Sequence, residues 1–139
     1  MKILIICTGN TCRSQMAEGL LKSFDPKLEV YSAGTKAEKV VNPYAIKAMA
    51  EIDLDISKNY PKLVDEFLNT DFDFVITVCD SAKEACPYFS GKVKKRLHIA
   101  FEDPADAKGT EEEKMVIYRN VRDQIRERFF QLYNDTIIQ

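Results

Sequence analysis

The sequence predicts an α/β fold: a single-domain, doubly wound, four-stranded parallel sheet with flanking helices. Three observations predict it. Nearly continuous apolar runs at Lys2–Ile6 and Phe72–Val78 have the pattern of strands buried on both faces of a parallel sheet. Segments of helical periodicity alternate with the strand patterns, the order that builds β-α-β units. The chain has 139 residues, 45% of them hydrophobic, which suits one domain with one core spanning 1–139.

Taken in order, Lys2–Ile6 is the first strand and Ser14–Phe24 the first helix. Leu28–Ser32 is the second strand. Asn42–Glu51 is the second helix, with Asn42 as cap and Pro43 at the first helical position, where its missing N–H costs nothing. Pro61–Leu68 is read as a third helix, Phe72–Val78 as the third strand and Lys95–Phe101 as the fourth. The last helix is Glu111–Tyr133. Along it Tyr118, Val121, Ile125, Phe129 and Leu132 recur at three- and four-residue intervals and face the sheet, while Arg122, Arg126 and Glu127 are assigned to water. Glu111-Glu112-Glu113 place negative charge in its first turn, where the helix dipole favours it. In such a sheet ligands bind beyond the carboxyl ends of the strands, at a switch in strand order. Cys7 follows the first strand, Cys79 the third and Asp103 the fourth, so side chains distant in sequence should meet on one rim.

Charge and hydropathy exclude several classes. Twenty basic residues against twenty-two acidic give a net charge of −2. No basic block is present of the kind that tracks a nucleic-acid backbone, so no nucleic-acid partner is expected. The apolar runs are far shorter than the ~20 residues that span a bilayer, and the amino terminus lacks the extended apolar region of a signal peptide. The expected location is the cytoplasm, with no membrane partner. No long exposed apolar stripe appears, and a monomer is expected.

Four cysteines, Cys7, Cys12, Cys79 and Cys86, in a chain read as cytoplasmic argue for metal or redox chemistry over a structural disulfide framework. Four residues separate the first pair and six the second. Structural zinc sites use shorter intervals, so no metal is expected, and no other cofactor.

The chemistry concentrates in Cys7-Thr8-Gly9-Asn10-Thr11-Cys12-Arg13, between the first strand and the first helix. A loop of this length can curl its backbone N–H groups around a tetrahedral oxyanion, aided by the helix N-terminus. The cysteine then lies under the anion, in a field that favours thiolate over thiol. Arg13 can clamp two oxyanion edges with its planar fork. Gly9 allows close approach of backbone to ligand, and Asn10 tolerates left-handed geometry and can brace the loop. Thr11 and Ser14 offer hydroxyls to the thiolate, and Ser14 is also placed to cap the helix. The bland alternative is an inert buried Cys7 with Arg13 on a solvated face.

This stretch, with the whole run Cys7 to Glu18, resembles the low-molecular-weight protein tyrosine phosphatase superfamily. The resemblance extends through Tyr31-Ser32-Ala33-Gly34, Asn42-Pro43, Val78-Cys79 and Asp103-Pro104. It implies an anion-binding loop made of Thr8, Gly9, Asn10, Thr11, Cys12 and Ser14, a nucleophilic Cys7, and a distant aspartic acid that protonates the leaving group. Asp103 fills that position. On the residues alone it could equally be a turn former, since Asp before Pro is common in turns. Glu102 and Asp106 are read as solvated bystanders, and the one histidine, His98, as a packed, hydrogen-bonded residue outside the site.

The segment Cys79 to Pro87 decides the branch. A phosphatase has no use for resolving thiols there, because water hydrolyses its phosphocysteine. A reductase needs them: with arsenate on Cys7, a second thiol can attack the Cys7 sulfur while the electron pair of the breaking S–As bond leaves on arsenic. A loop cysteine followed by a pair after the third strand is similar to the thioredoxin-coupled arsenate reductases. The match includes Cys12-Arg13-Ser14-Gln15-Met16-Ala17-Glu18-Gly19, Cys86-Pro87 and Phe101-Glu102-Asp103-Pro104-Ala105. That resemblance implies an arsenical-resistance oxidoreductase in which Cys79 resolves the arseno-cysteine and Cys86 carries a redox-active disulfide outward for thioredoxin. Cys12 is expected to pack under the loop, a Cys7–Cys12 disulfide being the lesser alternative. The chain departs from the reductase pattern at His98-Ile99, where a tryptophan commonly follows the histidine. The alternative function is a phosphatase acting on phosphomonoesters, but no ring follows Asp103-Pro104 to grip a phosphotyrosine. A third reading is a non-catalytic oxyanion-binding or redox-sensing module.

Overall fold

The computed structural model describes residues 1–80 and 88–138. Four parallel strands, β1 (Lys2–Cys7), β2 (Glu29–Gly34), β3 (Phe72–Thr77) and β4 (Val93–His98), form one sheet in the order β2-β1-β3-β4. The winding reverses at β1, so the crevice beyond the carboxyl end of β1 is the switch point where this architecture binds ligands. Central β1 and β3 are buried over most of their length, as their apolar runs require, whereas edge strand β4 leaves Lys94, Lys95 and Arg96 exposed.

Three helices, α1 (Arg13–Phe24), α2 (Pro43–Ala50) and α3 (Glu111–Leu132), share the larger core with Ile3, Ile5 and Ile76. In α3 the buried stripe is Met115, Tyr118, Val121, Ile125 and Phe129. Arg126 and Glu127 are exposed as expected, but Arg122 is buried: its guanidinium donates to the Ala48 carbonyl at 2.8 Å and to Glu51 at 2.9 Å. A charge near the core is tolerable there because it caps the end of α2 and is paired. Asn42 caps α2, its side chain accepting from the Tyr44 N–H at 2.8 Å, with Pro43 following.

A smaller core on the other face of the sheet joins Leu4, Ile6, Ala33, Phe72, Val75 and Phe89 to Val64 and Phe67. The helix expected over 61–68 is a short 3-10 turn at Val64–Phe67. The residues before it are extended because the active rim uses their backbone: Gly34 N–H donates to the Lys62 carbonyl at 2.8 Å, and Lys62 N–H donates to the Asn10 side chain at 2.8 Å. A helical turn there would withdraw both groups. β4 lies two to three residues earlier than the sequence pattern suggests, and the chain from Ile99 to Asp103 is irregular before a 3-10 turn at Pro104–Asp106.

Candidate active site

The carboxyl end of β1 runs into residues 8–12 and then α1. Along this turn the carbonyls are all accounted for. Those of Thr8, Gly9 and Thr11 accept from the N–H groups of Lys36, Glu38 and Asn42 at 3.0, 3.2 and 2.9 Å, and that of Asn10 accepts from the Gln15 side chain at 3.1 Å. No peptide bond is cis among the described residues. In a trans peptide C=O and N–H point oppositely, so carbonyls turned outward, those of Thr8, Gly9 and Thr11 onto the 34–42 segment and that of Asn10 onto Gln15, turn the N–H groups of residues 9–12 inward. The result is a nest of amides at the start of α1, the arrangement that binds oxyanions.

Asn10 makes the turn possible. It adopts φ 55°, a left-handed conformation that asparagine bears better than most residues. Its fully buried side chain accepts from Lys62 N–H at 2.8 Å and Gln15 Nε2 at 3.2 Å and donates to Ser14 Oγ at 2.8 Å. Ser14 Oγ in turn lies 2.9 Å from Cys7 Sγ. Ser14 is therefore committed to the cysteine and does not cap α1, whose cap position is Cys12 with no side-chain bond. Gly34 marks how closely the sheet approaches: a Cβ there would lie 2.4 Å from the Thr8 carbonyl oxygen.

A cleft of about 550 Å³ opens above the nest. Cys7, Thr8, Gly9, Thr11, Cys12, Arg13 and Asp103 line it, while Asn10 and Ser14 stand behind the loop as braces. Arg13, 3% exposed, donates to the Phe101 carbonyl at 3.2 Å and pairs with Asp103 at 3.4 Å. Asp103, half-buried, also accepts from Ala105 N–H at 3.0 Å, so it is both the turn former and a carboxyl facing the loop. Burial, with Asp103 and Cys7 adding, pushes the Cys12 thiol well up against the opposing pull of Arg13, which keeps it a neutral packing group.

Cys7 and Cys12 are free, buried thiols, and no disulfide joins them. Cys79 is fully buried at the end of β3 and is disulfide-bonded. Its neighbour Asp80 reaches the cleft. Cys86 lies outside the described residues. Lys36, Glu38, Asn42 and Asp80 line the cleft without having been singled out as site residues, and Asp106, read as a bystander, lines it too. Asn42 showed its cap role in the sequence; the others carry no local signal, since they reach the rim through tertiary structure. His98 is exposed and bonded through Nδ1 to Thr77 Oγ1 at 2.6 Å, away from the cleft lining.

The chain is 49% identical over 127 residues to an arsenate reductase of Oceanobacillus iheyensis, an alignment covering 91% of this chain and 90% of that one. Its fold matches a solved arsenate reductase in the phosphate binding state with TM-score 0.79 and 31% identity, over 96% of each chain. It also matches a thioredoxin-dependent arsenate reductase of Corynebacterium glutamicum with TM-score 0.70 and 25% identity, over 99% of this chain and 62% of that one. The family model for low molecular weight phosphotyrosine protein phosphatase matches residues 2–138. With the family model matching nearly the full length and the fold in agreement, the chain belongs to the low molecular weight phosphotyrosine protein phosphatase family.

Proposed function

We propose that this protein is an arsenate reductase that converts arsenate to arsenite by a relay through Cys7, Cys79 and Cys86, regenerated by thioredoxin. One observation carries the relay: on the rim that holds a free Cys7 at the base of an amide nest, Cys79, two residues past the adjoining strand β3, is already oxidised, and neither Cys7 nor Cys12 is its partner. The arsenate reductases to which the chain is similar, one of them thioredoxin-dependent, supply the substrate and the reductant.

The nest and the Arg13 fork hold the tetrahedral anion over Cys7. The Cys7 thiolate attacks arsenic, and Asp103 gives a proton to the departing oxygen, which leaves as water. The Cys79 thiolate then attacks the Cys7 sulfur. An S–S bond forms as the S–As bond breaks, and its electron pair stays on arsenic, so As(V) becomes As(III) while two thiols become one disulfide. Cys86 attacks Cys79, freeing Cys7 as a thiolate and leaving a Cys79–Cys86 disulfide. The dithiol of thioredoxin reduces that bond by the same exchange. The whole of 1–139 acts as one domain, as a monomer in the cytoplasm without metal or cofactor. No helix among the described residues is long and apolar enough to cross a membrane.

Phosphate monoester hydrolysis is the second reading, because Cys7, Arg13 and Asp103 are also what that chemistry requires. No aromatic side chain is among the described residues lining the cleft, which disfavours a phosphotyrosine substrate. The two are separated by arsenate-dependent oxidation of reduced thioredoxin in wild type and in Cys79→Ser. The variant should lose arsenite release while keeping hydrolysis of p-nitrophenyl phosphate. Sustained thioredoxin-coupled turnover in Cys79→Ser would return the protein to the phosphatase reading.

A further inference from the structure

The relay needs Cys86 delivered to Cys79, and the structure shows how the chain is fixed on either side of that exchange. Upstream, Val78 N–H donates to the Ile6 carbonyl at 3.0 Å, the Val78 carbonyl accepts from Phe101 N–H at 3.2 Å, and Cys79 is fully buried. Downstream, Phe89 lies three residues after Cys86 and is 2% exposed, its ring edge-on to Phe72 at 5.8 Å in the smaller core. The next turn is tight: a Cβ at Gly91 would meet the Phe89 ring at 2.5 Å, and the Lys92 carbonyl accepts from Phe72 N–H at 3.0 Å.

One side chain ties this return together. Arg96, on edge strand β4, donates to the Phe89 carbonyl and, at 3.3 Å, to the Gly91 carbonyl, and its guanidinium lies 4.5 Å from the centre of the Tyr88 ring. Tyr88 is 76% exposed, so its ring is held by the stack and not by burial. A planar fork that reaches two carbonyls and presents a face to a ring is available to arginine and not to lysine.

We propose that Arg96 is a positioning residue for the second thiol exchange: by clamping Tyr88–Gly91 it sets where the chain leaving Cys86 must end, and so raises the effective concentration of the Cys86 thiolate at the Cys79 sulfur. The proposal rests on the relay reading. It assigns Arg96 to the Cys86 step alone, because the clamp touches none of the residues lining the cleft above Cys7.

The test uses the full-length, fully reduced protein with one equivalent of arsenate, quenched by alkylation and mapped by mass spectrometry over time. In R96M the Cys7–Cys79 bond should form at the wild-type rate and its conversion to Cys79–Cys86 should slow about tenfold, the scale expected when two hydrogen bonds and a cation–π stack holding a reacting group are lost. R96K should fall between the two. Wild-type conversion in R96M, equal slowing of both exchanges, or full recovery in R96K would overturn the proposal. Equilibration with glutathione redox buffers, without arsenate, reads the clamp independently: the Cys79–Cys86 disulfide should be about tenfold less favoured in R96M. An unchanged equilibrium would count against the clamp. If wild-type protein formed no disulfide on exposure to arsenate, the relay reading would fall, while the glutathione equilibrium would still decide the role of Arg96.

Discussion

The loop beyond β1 and the connection from β3 to β4 are held in opposite ways. Residues 8–11 have every carbonyl bonded and one side chain, Asn10, tied to three neighbours, so the amide nest has one geometry. On the connection from β3 to β4 the fixed points are the buried Cys79, just past the carboxyl end of β3, and the Tyr88–Gly91 turn that Arg96 holds before the amino end of β4, with Cys86 between them in sequence. An anion site gains from donors that need no rearrangement when charge arrives. A relay must let one sulfur change partners, and disulfide geometry demands that the two Cα atoms come within about 7 Å each time.

If the loop is the rigid partner, damage to it should affect every reaction of the protein. Cys7→Ser should bring both arsenate reduction and p-nitrophenyl phosphate hydrolysis below detection, because a serine hydroxyl in the nest stays protonated near neutral pH. Retention of either would move the nucleophile elsewhere. Asp103→Asn should slow the step that expels the leaving oxygen by about 10²–10⁴-fold in both reactions while phosphate binding, read by calorimetry, survives. An unaltered single-turnover rate would remove Asp103 from the proton transfer.

Smaller effects probe the packing behind the nest. Gly34→Ala puts a methyl group 2.4 Å from the Thr8 carbonyl oxygen and should cost about 1–3 kcal/mol in denaturant unfolding and lower both activities together. Loss of reductase activity alone would mean that the loop and the β3–β4 connection are less separable than described. The smallest effect concerns pH. Burial, helped by Cys12 and opposed by the bond from Asn42, pushes the Tyr118 hydroxyl up to about 12 from 10.0. The folded protein then holds a proton that the unfolded chain releases, so stability should be full below pH 10.0 and decline as pH rises towards about 12. Tyr118→Phe should flatten that part of the urea-unfolding profile; an unchanged slope would place the alkaline transition on other groups.

Much of the fold was legible because it follows from local pattern. β1 and β3 show as apolar runs, the start of α2 as Asn-Pro, and α3 as a stripe in which Tyr118, Val121, Ile125 and Phe129 are buried as read, while Leu132 is half-buried and Met115 completes the buried face instead. What the sequence hid is long-range. Pro61–Leu68 has a helical composition, yet the backbone of Lys62 is claimed by Gly34 and Asn10, which no window around residue 62 reveals. Ser14 has the chemistry of a cap and is drawn instead to Cys7 and Asn10. Arg122 sits in a charged stretch and is buried by α2. Within the site, the meeting of Cys7, Arg13 and Asp103 at one cleft was readable because the first two flank the loop after β1 and the third follows the last strand of the same sheet. Lys36, Glu38 and Asp80 were not, since only the fold brings them to the cleft.

The outward-turned carbonyls also bear on transplantation. A seven-residue string from cysteine to arginine looks like a self-contained cassette that could be grafted after any parallel strand. Here its shape is imposed from outside: by the N–H groups of Lys36, Glu38 and Asn42, by a glycine at the end of the neighbouring strand, and by the backbone of Lys62 far along the chain. Moved alone into another sheet, the string would bring the sulfur and the guanidinium but not the scaffold that turns its amides inward. The smallest portable unit is the loop together with residues 34–42 and the extended strip at 60–63.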